Sequence, residues 1–469
     1  MNELKQKLTE IGQVHLLQYW DTLVDHEKSE LLDDIAQLDL DECRALAESY
    51  VRHYLAPPLP EDIAAAHIFP TPENADAEAD YAGAMRIGED AIRNGEVAAF
   101  TVAGGQGTRL GFAGPKGAFP ITPIRDAPLF QVFAEYLLGV ERRYGKPVNW
   151  YIMTSPLNHE ETVAFFAGHG FFGLAKDQVE FFQQGSMPVF HPDGKIAMAG
   201  KSRISLSPDG HGGSLRALRT SGALARMQRR GEKYISYFQV DNPLVHCVDP
   251  LFIGLHIREK SEVSSKAVPK SHDLERVGNF CVGDGRLQVI EYSDLPESLA
   301  LQKNPDGSRK FDAGSIAIHV FNREFVERLT HPTSTVRLPW HRAEKAVAVL
   351  GPDGKLETPS RPNVVKLEMF VFDAIPAAGR AIVMFTDRKE EFSPVKNAEG
   401  ADSPAVARRD LSERAVRWLA AAGVNVQRDA GGEPRFPVEI SPRFAINEVD
   451  LREQIRGRDV DRNAPLLLA

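Results

Sequence analysis

With 469 residues, 43% hydrophobic and 26% charged, the chain has the composition of a folded multidomain protein, because domains usually hold roughly 100 to 200 residues. A net charge of −10 argues against a sequence-independent nucleic-acid binder, which needs a basic surface to displace counterions. No apolar run of about 18 residues is present to span a membrane, and MNELKQKLTEIGQVHLL lacks the unbroken apolar core of a signal peptide, so the expected location is cytoplasmic.

Residues 1 to about 50 place apolar side chains at helical spacing, Leu4, Leu8 and Ile11, then Leu31, Leu32, Ile35 and Leu38, which predicts amphipathic helices. The prolines of LAPPLPEDI and IFPTPE break that pattern and mark a connection over 56–73, followed by a helix over 76–94. From residue 96 apolar runs, VAAFTVA, VNWYIMTS, VEFFQQG and YISYFQVDN, alternate with helical segments near 129–143, 158–169 and 214–230. Strands alternating with helices imply βαβ units, and their near-continuous hydrophobicity suits burial on both faces of a parallel sheet. Asp284-Gly285 between two extended runs predicts a hairpin that opens an antiparallel insertion. From 403, SPAVARRDLSERAVRWLAAAG reads as a helix ended by glycine, with short strands after it. The expected organisation is a helical region over 1–95, a doubly wound, mostly parallel, Rossmann-like α/β catalytic core over 96–402, and a small α+β domain over 403–469. Cys43, Cys247 and Cys281 are widely spaced and odd in number, which suits buried hydrophobes better than disulfides or a zinc site.

AAFTVAGGQGTRLGFAGPKGAFPI, residues 98–121, puts Gly104, Gly105 and Gly107 directly after a buried strand, where open α/β sheets bind ligands. Glycines there let backbone N–H groups approach an anion closely. A dinucleotide fingerprint begun at Gly105 fails at Leu110, and GPKG lacks the Ser/Thr that would complete a P-loop. What remains is a glycine loop with two cations, Arg109 and Lys116, which suits a triphosphate whose charge moves toward departing pyrophosphate. A purely structural turn is the alternative.

AGGQGTRLG followed by PKG resembles the signature of the nucleotide-sugar pyrophosphorylases, and of the eukaryotic-type UDP-N-acetylhexosamine pyrophosphorylases in particular. WYIMTSPLNHEETVAFF, VEFFQQG, SPDGHGG, YFQVDNPLVHCVDPLFIG, IEYSDL, FDAGSIAIHVF, KLEMFVFD and EFSPVKNAEGADSP follow in the family's order, so the resemblance covers nearly the whole chain. It implies a nucleotidyltransferase that joins UTP and a hexose 1-phosphate, with Mg2+, into a UDP-sugar and pyrophosphate. The sugar phosphate attacks in line, so catalysis is positioning and charge neutralisation.

Carried over by position, Gly104, Gly105, Gly107 and Thr108 would wrap the nucleotide, and Arg109, Lys116 and Lys396 would neutralise its phosphates. Gln184 and Gly210 fall where the family contacts uridine, and His211 stands where it usually has Asn. Gln184 is equally readable as a polar strand end. Asp241 would hold Mg2+, for which one carboxylate suffices, against a turn or capping role. Gly278 and Glu291 match the hexose contacts, whereas Asp312 and Ser315 occupy positions at which the family has Asn. Phe370 and Phe372 would line an acetamide pocket or belong to the core on a strand. The leading expectation is UDP-N-acetylglucosamine synthesis. Glucose, galactose or N-acetylgalactosamine 1-phosphate as acceptor, and a non-catalytic nucleotide-sugar binder, are the alternatives. Oligomeric state is not legible.

Overall fold

The computed structural model describes every residue except 56, 57, 73, 74, 358, 459 and 461–463, and only the backbone over 75–80. The chain forms two compact units, each discontinuous in sequence: Met1–Leu59 with Gln184–Arg216 and Arg337–Asp373, and Pro60–Gln183 with Ala217–Val336 and Ala374–Ala469. The sequence boundaries at 95 and 402 are contiguous by contrast, because local pattern does not say which distant segments share a core.

The second unit is built on a sheet in the order Ile68–Phe69, Ala381–Phe385, Val263–Pro269, Ala313–Asn322, Tyr234–Gln239, Val97–Val102, Trp150–Thr154, Val179–Gln183. Ala313–Asn322 runs antiparallel to both neighbours and the other pairings along this path are parallel, so the expected mostly parallel α/β class is observed. The adjacent interior strands Val97–Val102 and Tyr234–Gln239 are almost wholly buried, which explains their unbroken apolar runs. Helix Leu129–Tyr144 turns Phe130 and Phe133 onto Trp150, and Phe133 also onto Phe238 with ring centroids 5.3 Å apart. Burying each such side chain stabilises the fold by roughly 1.5–3 kcal/mol.

The antiparallel strand carries a bulge: its register with Val263–Pro269 shifts between Ser265 and Ala267, and Ala317 takes a left-handed φ of 55°. Two extra residues on this strand, four steps from His319 to Ser315 against two from Ser265 to Ala267, interrupt the ladder beside Ser315. The expected hairpin forms from Asn279–Gly283 and Arg286–Ile290, with positive φ at both Asp284 and Gly285 as a two-residue turn requires. The segment 214–230 is two helices rather than one, Gly213–Thr220 and Ala223–Arg230, because Gly222 adopts a left-handed φ of 77° between them. Of the expected connection over 56–73, residues 56, 57 and 73 lie outside those described, and the remainder contains the short strands Ile63–Ala65 and Ile68–Phe69.

Near the C-terminus, helix Pro404–Ala421 is capped by Ser403 and followed by the parallel pair Val438–Ile440 and Leu466–Leu468. Glu439 accepts from Arg125 Nε at 2.6 Å and Ser441 Oγ donates to Glu135 at 2.6 Å, which ties this segment into the same unit as the sheet.

In the first unit the N-terminal helices Asn2–Glu10, Asp25–Ala36 and Leu40–Leu46 bury Leu8, Leu31, Ile35 and Leu46 in one core with Phe190, Ile196, Ile204 and Leu367. The buried amide of Gln13 donates to Gly194 O and accepts from Ile196 N, so both ends of the amide are paired inside that packing. Among the described residues no helix is long and apolar enough to cross a membrane.

Candidate active site

The glycine loop leaves the carboxyl end of strand Val97–Val102 and folds back on itself. Gly107 N donates to Gly114 O at 2.9 Å and Lys116 N to Gly105 O at 3.1 Å, which brings Lys116 over the glycines. Among the described residues the amides of Gly104 and Gly105 have no backbone acceptor, the condition under which a loop can hold an anion. Thr108 and Arg109 lie on a short 3₁₀ turn, both exposed. Gly117 is required for packing: a Cβ there would stand 2.2 Å from the Phe130 ring. Asn158 is a residue that sequence reasoning missed. It is buried, its Nδ2 donates to Ala103 O at 2.9 Å and Gly105 O at 3.2 Å, and its Oδ1 accepts from Ser155 N at 2.8 Å. The only signal was an Asn directly before a helix, which reads as an ordinary cap.

Strand Tyr234–Gln239 pairs in parallel with Val97–Val102, so Asp241 emerges beside the glycine loop. Its Oδ2 lies 3.8 Å from Lys116 Nζ, and both side chains are largely shielded, at 14% and 17% exposure. Val395 N donates to Asp241 O at 2.8 Å, which sets the backbone of Lys396 next to that turn; the Lys396 side chain is exposed. The structure therefore brings together the glycine loop with its Lys116, Asp241 and the Lys396 segment, from three separated stretches. Asp241 fits a magnesium ligand on its own chemistry: a hard oxygen donor whose carboxylate accepts no hydrogen bond among the described residues.

Gly278, Glu291 and Ser315 also converge. Ser315 N donates to Gly278 O at 2.8 Å, and a Cβ on Gly278 would lie 3.4 Å from Glu291 Oε1 and 3.8 Å from Ser315 Cβ. Asp312 is engaged elsewhere, by Arg309 Nη1 at 3.1 Å and the Lys270 amide at 3.2 Å, so its charge is already met.

Gln184, Gly210 and His211 belong to the first unit. Gln184 is buried at the end of strand Val179–Gln183, and the next residue accepts Asp209 N at 3.1 Å, aligning it with the loop 209–212. Gly210 has φ 85° and packs so closely that a Cβ would meet Met369 O at 2.4 Å, which leaves glycine as the residue that fits. His211 Nδ1 accepts from Val371 N at 3.1 Å, so the proton resides on Nε2. Its ring stacks on Phe370 at 5.2 Å, and Phe370 stacks in turn on His341 at 4.0 Å. Burial, with a smaller push from His341, lowers the His211 pKa to about 4, so it stays neutral at neutral pH. Phe370 and Phe372 are not on a strand: Val364–Glu368 ends before them, and both pack against His211. Directly before Gly210, the fully buried Asp209 carboxyl has its pKa raised to about 7 by desolvation, partly offset by Arg216 3.5 Å away.

A largely parallel α/β sheet whose carboxyl edge carries a glycine loop, with a lysine facing an aspartate across adjacent strands, is the architecture of a nucleotide-phosphate-handling protein. The chain belongs to the UTP–glucose-1-phosphate uridylyltransferase family, whose pattern matches residues 60–405, and is thereby a nucleotidyltransferase. It is 34% identical over 486 residues to a Xenopus tropicalis UDP-N-acetylhexosamine pyrophosphorylase-like protein 1, covering 97% of this chain and 94% of that one. It is 33% identical to the UDP-N-acetylglucosamine pyrophosphorylase of Saccharomyces cerevisiae, over 100% of both chains. The crystal structure of the Trypanosoma brucei uridine diphosphate N-acetylglucosamine pyrophosphorylase in complex with inhibitor superposes with a TM-score of 0.79 at 27% identity, covering 100% of this chain and 98% of that one.

Proposed function

We propose that the protein joins UTP and N-acetylglucosamine 1-phosphate into UDP-N-acetylglucosamine and pyrophosphate. The observation that carries this reading is the pairing of Lys116 with Asp241 at 3.8 Å beside the glycine loop, in a chain aligned end to end with a pyrophosphorylase.

An oxygen of the sugar phosphate attacks the α-phosphorus of UTP, the bond to the β-phosphate breaks, and pyrophosphate leaves. Gly104, Gly105, Gly107 and Thr108 orient the phosphates through backbone amides. Arg109, Lys116 and Lys396 meet the charge that grows on the leaving group, which lowers the barrier because fixed charges need no reorganisation. Asp241 is the residue that would hold magnesium, which when bound supplies further charge neutralisation at the phosphates. Gln184, Gly210 and the Nε2–H of His211 are assigned to the uridine; Gly278, Glu291 and Ser315 to the hexose, with Asp312 held by Arg309 just before the strand that carries Ser315.

A plain hexose 1-phosphate is the second reading, favoured by one observation. Ser315 is shorter than the Asn that the family resemblance implies at this position and lies beside Gly278 and Glu291, which alters any contact to a substituent on the sugar. The test is pyrophosphate release from UTP and Mg2+ across a panel of hexose 1-phosphates, with other nucleoside triphosphates as controls. Preference for N-acetylglucosamine 1-phosphate is the expected result. Preference for glucose or galactose 1-phosphate supports the second reading, and silence with every sugar overturns both in favour of a binding protein.

A further inference from the structure

Two of the segments assigned to phosphate chemistry, the turn after Tyr234–Gln239 and the stretch before Pro404–Ala421, are bound together by a buried polar junction that the reaction itself does not use. Asn242, next to Asp241 and 5% exposed, is its hub. Its Nδ2 donates to Glu391 O at 2.7 Å, and its Oδ1 accepts from Ser393 N at 3.1 Å and Leu244 N at 3.3 Å. Both faces of one amide are thus spent on joining 391–393 to 242–244. One step further along, Val395 N donates to Asp241 O at 2.8 Å, so the backbone that carries Lys396 is laid against the one that carries Asp241.

Beneath Asn242 the junction is reinforced by charge. Glu391, 1% exposed, takes the Lys266 ammonium at 2.5 Å and the Thr386 hydroxyl at 2.8 Å, and accepts from His246 N at 3.3 Å. Lys266, also 1% exposed, reaches Asp249 at 2.5 Å. His246, Asp249 and Glu391 bring possible ligand atoms within 4.8 Å of one another, but the Lys266 ammonium already supplies the positive charge there, so the cluster is an internal ion centre rather than a metal site.

We propose that Asn242 is a positioning residue, which fixes Lys396 relative to Asp241 by clamping the Glu391–Ser393 backbone. The inference rests on the phosphate-handling roles given above to Asp241 and Lys396. A cation helps only when held where charge develops, and a displacement of about 1 Å can lower rate 100-fold. Asn242 acts entirely through Lys396 and not by touching substrate.

The experiment is a double-mutant cycle on the full chain with UTP, Mg2+ and the preferred sugar phosphate, comparing Asn242→Ala, Lys396→Ala and the pair. The expected result is a loss in kcat of about 10-fold or more for Asn242→Ala, with a change in KM for UTP below about 3-fold, and a further loss below about 3-fold when Lys396 is already Ala. An equal loss in both backgrounds, or an unchanged kcat in the single variant, overturns the proposal. Wild-type rates in Lys396→Ala would instead overturn the site assignment itself. If Asn242→Ala does not fold, Asn242→Asp enters the same cycle: it keeps the acceptor for Ser393 N and Leu244 N but loses the donor to Glu391 O, and it is judged by the same limits.

Discussion

The substitution Asp209→Asn tests the electrostatics of the loop that precedes Gly210. The Asp209 side chain is fully buried, confined by Gly185 and Gly213, at each of which a Cβ would fall within 2.5 Å of a carboxylate oxygen. Arg216, the nearest opposite charge, stands 3.5 Å away and is shared with Glu42. Burial therefore wins, and the carboxyl titrates at about 7 rather than 3.8. The folded chain holds this proton more tightly than the unfolded chain does, so folding stability falls as pH rises from 3.8 toward 7 and is level above that. At 1.36 kcal/mol per pH unit, the wild type loses roughly 2–3 kcal/mol through this group between about pH 5 and about pH 8. An amide of the same shape does not titrate. Urea unfolding of both proteins at the two pH values measures the difference directly, because all other groups titrate alike in both. The Asp209→Asn variant should gain on the wild type by that amount at the higher pH. A difference between the two proteins that does not change with pH would refute the argument.

The remaining predictions concern the chemistry. Lys116→Ala and Arg109→Ala should each reduce turnover by at least about tenfold, the usual loss for a charge contact made in the transition state, and near-normal steady-state rates in both would remove their assigned role. Ser315→Asn should shift the ratio of kcat/KM between N-acetylated and plain hexose 1-phosphates; an unchanged ratio would mean that Ser315 does not contact the sugar. Because His211 titrates at about 4, the ratio of UTP KM between wild type and His211→Asn should stay constant from about pH 6 to about pH 8. A ratio that changes around pH 6.5 would show that the imidazole ionises in the working range.

Much of the candidate phosphate site was legible because its parts carry local signatures. The glycine loop follows a buried strand, Lys116 lies a few residues further on, and Asp241 follows the end of an apolar run, so each announces itself within about ten residues. Asn158, Asn242 and Glu391 carry no such signature. Asn242 and Glu391 are 149 positions apart, and Lys266 is 125 positions from Glu391, so their partnership exists only once the sheet has formed. Lys266 did leave a trace, a lone ammonium inside the apolar run VSSKAVP, but a sequence cannot say whether such a lysine points to water or to a buried carboxylate.

The sequence by itself determined the α/β class, the succession along the chain of the strands around the glycine loop, and the loop itself. These depend on periodicity and on backbone sterics, which act between near neighbours in the chain. The tertiary structure decided the grouping of three separated segments into the first unit, the antiparallel strand inside the sheet, the burial that keeps His211 neutral and the ion pair that occupies Asp312. Those depend on desolvation and on contacts between residues distant in sequence, whose strength is set by what surrounds each group after folding rather than by its neighbours along the chain.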